Sequence, residues 1–209
     1  MTKRRVLSLV LAGVPAVMLF TGGAAGADLN YLLRGDYAFS GESACLTSAA
    51  GFDSDLTPAD SPAPFPSVTS SSVHGVRTFN GDGTGKVVGR NVSFSHPFAL
   101  PNPAPPHFFS RGGASSSDFE ADFTYHVTPD RTFAVVQPMA TGTFLTGTRA
   151  GQTFTFGPVP LVGRISHDNK ILLTAGDTPV IETQNFSNGD IRYRICHRSR
   201  TLFHLRKGN

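Results

Sequence analysis

Residues 117–137, SDFEADFTYHVTPDRTFAVVQ, alternate in character almost without a break. Phe119, Ala121, Phe123, Tyr125 and Val127 occupy odd positions; Asp118, Glu120, Asp122, Thr124 and His126 occupy even ones. A strand sends successive side chains to opposite faces, so this pattern buries the first set and leaves the second in water. Thr128-Pro129-Asp130 supplies a turn, and Phe133 and Val135 resume the apolar face. A sheet with one wet face is antiparallel. Whatever this chain folds into must cover a face lined with aromatic rings.

The same rule governs the rest of the chain. No long run shows a helical period, and short alternating runs are separated by turn residues. Strands are predicted over 36–41, 73–79, 86–94, 140–148, 152–156, 161–166, 170–175, 180–184 and 191–202. The stretch NGDGTG at 80–85 reads as a hairpin turn, with glycine supplying positive φ, and Asn188-Gly189 reads as another. A flat sheet of so many strands would leave two exposed edges, which closure removes. The expected fold is all-β, a single closed antiparallel up-and-down β-barrel of about eight strands; a two-sheet β-sandwich is the alternative.

Lys3, Arg4 and Arg5 precede a short apolar run broken by Gly13 and Pro15, and Ala25-Gly26-Ala27 follows as an A-x-A site. This pattern predicts a secretory signal peptide over 1–27 and a secreted or periplasmic location. Residues 28–209 then form one domain, with long Pro-rich loops at about 47–70 and 96–117. No later segment is apolar enough to span a membrane. The second loop carries enough phenylalanine to be either a flap on an apolar surface or an arm gripping a second subunit, as in a homo-oligomer.

The chain has 18 Lys+Arg against 15 Asp+Glu. Three of those cations leave with the leader, so the mature chain has no net charge and no case for nucleic-acid binding. Its two cysteines, Cys45 and Cys196, are expected to pair, as cysteines of exported chains do. The last strand alternates Ile191, Tyr193, Ile195 against Arg192, Arg194, Cys196. With the apolar set turned inward, the disulfide falls outside the barrel or at its rim.

No catalytic signature stands out. The seven histidines lack ligand spacing, no metal or cofactor is expected, and Asp118, Glu120 and Asp122 read as a solvated edge. The candidate ligand pocket is the inner face: Tyr37, Phe39, Arg77, Phe79, Phe123, Tyr125, Phe133 and Tyr193. An aromatic wall with a few polar tips is how small-ligand sites are built. A buried Arg77 requires a partner, and an anionic ligand head would serve.

Three stretches, RGDYAFSG, RTFNGDGTGKVVG and DFTYHVTPDRTFAVV, resemble a group of exported bacterial proteins with a G-x-Y-x-F start and two glycine- or aspartate-bearing hairpins. These look like members of the allene-oxide-cyclase-barrel or wider calycin group. The resemblance implies an eight-stranded barrel with an apolar cavity, and carries over no catalytic residue. The expected function is that of an exported barrel binding a small apolar or amphipathic ligand. The alternatives are a cyclase or isomerase acting through a shaped pocket, and a solid-core protein working through its surface.

Overall fold

A computed structural model describes residues 28–59, 66–96 and 112–205. The leader segment and the proline-richest parts of both long loops lie outside the described residues. Eleven strands follow one 3-10 turn, Asn30–Leu32. They are β1 (Arg34–Ser48), β2 (Ser67–Asn80), β3 (Thr84–His96), β4 (Gly113–Val127), β5 (Thr132–Gln137), β6 (Ala140–Phe144), β7 (Thr153–Gly157), β8 (Val159–Ile165), β9 (Ile171–Ala175), β10 (Ile181–Phe186) and β11 (Ile191–His204).

All pairings are antiparallel, and the sheet closes because β1 pairs with β11 as well as β2. Six of the shorter strands work as three interrupted ones. One half of β4 pairs with β5 and the other half with β6. Val136 faces Thr124 while Thr141 faces Glu120, so the register gains one residue between them. Pro138 sits in that gap, where a missing N–H cannot be required by the ladder. β8 and β7 flank Pro158, and β9 and β10 flank residues 176–180. One end of the ring runs β1-β2-β3-β4-β5-β8-β9-β11; the other replaces β5, β8 and β9 by β6, β7 and β10. Each circuit has eight strands.

The first, second and fourth strands reach further than their sequences suggest. SVTSSS at the start of β2 and GASSS at the start of β4 are serine-rich, yet both are ladder residues. Ser71 pairs with Ser43 and Ser93, and Ser93 pairs with Ser115. Backbone pairing with long neighbours outweighs weak local propensity here. The two Pro-rich loops are correspondingly shorter than 47–70 and 96–117.

The core occupies the end of the ring near the 3-10 turn. Phe79 stands edge-on to Tyr37 at 5.4 Å, to Phe123 at 5.2 Å and to Tyr125 at 5.0 Å between ring centroids. Leu33, Phe133 and Leu172 are fully buried beside this group. Tyr125 Oη accepts from the Gly81 amide and reaches the Leu33 carbonyl at 2.8 Å, while the Asn30 side chain accepts from the Val127 amide. The turn thereby plugs that end of the ring.

Inward phenylalanines are matched to glycines on neighbouring strands. Phe39 faces Gly75, Phe119 faces Gly89 and Gly142, Phe123 faces Gly85, Phe133 faces Gly163, and Phe154 faces Gly142. Each ring lies over the bare backbone of its partner. At Gly85 an added Cβ would stand 2.3 Å from the Phe123 ring and 2.4 Å from the Thr78 carbonyl. Neither neighbour can yield without shifting the sheet. Gly85→Ala is therefore expected to cost about 2–3 kcal/mol, read as a lower urea midpoint. Gly151→Ala, where an added Cβ meets open space but φ is +82°, should cost about 1–2 kcal/mol through backbone strain alone.

Candidate functional site

Period two runs unbroken along β11, because its register with β1 holds from His204 to Tyr193. Leu202 is buried opposite Phe39, and Phe203 is exposed. Counting back by twos puts Arg200, Arg198, Cys196, Arg194 and Arg192 on the inner face. Tyr193 and Ile195 take the outer parity with Phe203. This reverses the expectation for the last strand: the arginines face in. Tyr193 is thus not a pocket residue; it is half-buried on the outer side, 3.8 Å from where a Cβ on Gly51 would lie. The disulfide moves with the arginines. Cys45 and Cys196 are directly opposed and bonded, on the inner face rather than outside it.

The other candidates lie on the inner wall, as their alternation predicted. Tyr37, Phe79, Phe123, Tyr125 and Phe133 belong to one buried cluster, with Phe79 in edge-on contact with the other four. Their polar tips serve the fold: Tyr37 Oη donates to the Asn169 carbonyl at 2.9 Å, and Tyr125 is fixed by the plug. Phe39 is buried at the edge of this cluster. Arg77 is 6% exposed, with its guanidinium carbon 4.8 Å from the centre of the Phe123 ring. Its Nη1 has no hydrogen-bond partner.

Away from the plug the inner wall mixes charged groups with a second set of rings, Phe144, Phe154, Phe156 and Phe186. Glu182 of β10 is 1% exposed and is held by two arginines. Arg194 Nε donates to its Oε2 at 2.9 Å; Arg198 forks onto both oxygens, with Nη2 2.7 Å from Oε2. Arg194 also lies over the Phe156 ring at 4.6 Å. Burial pulls Arg194 down to about 10, with the Glu182 carboxylate opposing the shift. Arg200 donates from Nη1 to the Glu42 and Ser199 carbonyls. Burial, then repulsion from Arg198 and Arg77, pulls it down to about 9, still charged at neutral pH. Thr174 faces Arg200 across the β9–β11 ladder, is 4% exposed, and its hydroxyl has no partner. Small hydroxyl-bearing side chains, Ser43, Ser71, Ser93 and Ser115, continue the inner parity beyond the arginines, with Ser43 and Ser71 hydrogen-bonded at 2.5 Å.

Glu182, Arg194, Arg198, Arg200 and Thr174 were not among the pocket residues expected from the sequence. A signal for them existed. Cys45 shares parity with Tyr37 and Phe39, so a disulfide across the β1–β11 seam places Cys196, and with it every arginine of β11, inside.

An open groove of about 700 Å³ lies over β4, β6, β7 and β10, lined by Thr141, Thr143, Thr153 and Thr155 together with Phe119, Phe154 and Phe186. Its two carboxylates are already engaged, Asp118 by Arg90 and Glu120 by Lys86. Among the described residues, no cluster of three or more His, Cys, Asp or Glu could hold a metal ion, and no helix is long and apolar enough to cross a membrane. The sequence matches no protein-family model, and no curated protein matches it.

Two outcomes follow from these environments. Glu182→Gln leaves Arg194 and Arg198 buried without a carboxylate, and is expected to lower stability by about 3–5 kcal/mol in urea unfolding. Burial, with a lesser contribution from Tyr125, pushes the Tyr37 hydroxyl from 10.0 up to about 12. The unfolded chain releases this proton first. The stabilisation is therefore complete below pH 10 and falls as pH rises toward 12. Tyr37→Phe should flatten that alkaline loss in a melting-temperature series.

Proposed function

We propose that this chain is an exported β-barrel that binds a small amphipathic molecule in its interior, the polar end of the ligand lying in the arginine-bearing half. The observation that carries this reading is the change in the inner wall along the ring. One half is a packed aromatic cluster closed by the Asn30–Leu32 turn. The other carries Arg194, Arg198, Arg200 and the serine rows beside a second set of rings, Phe144, Phe154, Phe156 and Phe186, with Phe39 and Phe119 at the boundary. A structural barrel with no guest gains nothing from burying polar groups; apolar side chains of equal volume would be at least as stable. The signal-like leader and the resemblance to calycin-type exported barrels point the same way. Binding by walls of mixed character, with a few fixed polar groups, is the ordinary construction of small-ligand sites.

The rings around Phe79 stand edge-on to one another, so this reading sets the ligand beside them rather than among them. A second reading draws on the outer wall. Val88, Val76, Ala38, Phe203 and Ile171 stand side by side in register across five strands. Val88, Phe203 and Ile171 are 52%, 52% and 41% exposed. That band would suit a second copy of the chain.

The protein, exported from its expression host with the leader intact in the gene, is to be purified, extracted with organic solvent and analysed by mass spectrometry. A stoichiometric amphipathic molecule is expected. A protein that is empty, does not bind a fluorescent amphiphile, and sediments as a dimer would overturn the ligand reading and favour the outer band.

A further inference from the structure

The inner wall holds more positive charge than it can neutralise. Among the described residues, Arg77, Arg192, Arg194, Arg198 and Arg200 have the inner parity, and Glu182 is the acid that joins two of them. Its two oxygens are taken by Arg194 and Arg198. Arg77 and Arg200 have no carboxylate. The contact of Arg77 with Phe123 covers one face of its guanidinium plane and leaves in-plane donors unused, Nη1 among them. The Nη1 contacts of Arg200 go to backbone carbonyls, which carry no charge. The Thr174 hydroxyl, opposite Arg200, is a second buried polar group without a partner.

A buried cation left alone costs several kcal/mol, and a buried hydroxyl left alone about 1–3 kcal/mol. Arg77 and Thr174 each keep an unpartnered buried polar atom, and Arg200, half-buried and bonded only to carbonyls, adds a second cation without a carboxylate. Arg77 and Thr174 are closed off, but Arg200 is only half-buried, so the site can be reached. Guanidinium forks match planar or tetrahedral oxyanions through paired hydrogen bonds, and a hydroxyl adds a third donor.

We propose that Arg77, Arg200 and Thr174 form an oxyanion site that takes the carboxylate or phosphate group of the bound molecule. This rests on the interior-binding reading above and names the chemical class of its ligand: an anionic amphiphile, with its apolar part directed toward Phe39, Phe119 and Phe156. Arg194 and Arg198 take no part in holding the anion, because Glu182 already occupies them. Burial pulls Arg77 down to about 10; burial first, then repulsion from Arg198 and Arg77, pulls Arg200 down to about 9. A bound anion relieves this.

The test uses the full exported chain, stripped of any guest, and three probes: dodecanoate, dodecanol and inorganic phosphate. Melting temperature and calorimetric titration are the readouts, with Arg77→Met and Thr174→Val as variants. Wild type should bind dodecanoate at least 10-fold more tightly than dodecanol. Arg77→Met should lose at least 10-fold of that affinity, and Thr174→Val should lose a smaller factor at unchanged volume. Arg77→Met should also melt no lower than wild type when empty, because it removes an unpaired buried cation. Dodecanoate and dodecanol binding equally, or dodecanoate binding unchanged in both variants, would overturn the anion site while leaving the amphiphile reading intact. Phosphate raising the melting temperature of wild type but not of Arg77→Met, with no amphiphile bound, would uphold the anion site, identify a free phosphate as the guest, and remove the amphiphile reading. No response to any probe would overturn both. Should Arg77→Met fail to fold, Thr174→Val with the dodecanoate–dodecanol comparison decides the question alone.

Discussion

The interior of this protein depends on phenylalanine rings lying over the bare backbone of glycines on the next strand. A ring of eight strands encloses little more room than its own side chains require. Large inward side chains on adjacent strands would collide at the same level. Here Phe123 takes the space that a side chain at 85 would have used, Phe133 the space at 163, and Phe154 the space at 142. The alternation of large and absent side chains lets the walls approach. It also fixes register, since a slip of one residue would set ring against ring. The aromatic cluster around Phe79 is a consequence of this arrangement, and so is the solidity of the plugged half.

The other half is built on a different economy. Its dominant contact is the Arg194–Glu182–Arg198 triad, three charges taken out of water and kept only because the carboxylate is saturated. The disulfide between Cys45 and Cys196 ties the seam two residues from both arginines. Together they hold β11, which carries the inner cations, against β1 and β10. A wall this rigid can keep Arg77 and Arg200 without acidic partners. That is the property a preformed anion site requires, since ordering such side chains at the moment of binding would cost affinity.

Much of the fold was legible from local pattern. The hairpin through Thr128-Pro129-Asp130, the NGDGTG turn, the inward placement of Tyr37, Phe79, Phe123, Tyr125 and Phe133, and the pairing of Cys45 with Cys196 all followed from period two and turn chemistry. The serine-rich starts of β2 and β4 did not, because their strand conformation comes from the neighbours they pair with. The face of β11 did not either. Its alternation of Ile191, Tyr193 and Ile195 with arginines identifies two faces but not which one is inside, and burying the apolar set is the cheaper choice for an isolated strand. In the closed sheet that choice was not open. Leu202 had to meet Phe39, and a strand without a bulge then carries the same parity through twelve residues to Tyr193.

The sequence by itself determined an all-β chain, the strand faces of its central hairpins, its aromatic core and its one covalent cross-link, because each of these depends on residues close together or on a single possible partner. Only the tertiary structure decided that the arginines point inward, that Glu182 joins two of them, that Arg77 and Arg200 have no carboxylate, and that the Thr174 hydroxyl has no partner. Those relations depend on closure of the ring, which sets the register of strands far apart in the chain, and no local period carries that information.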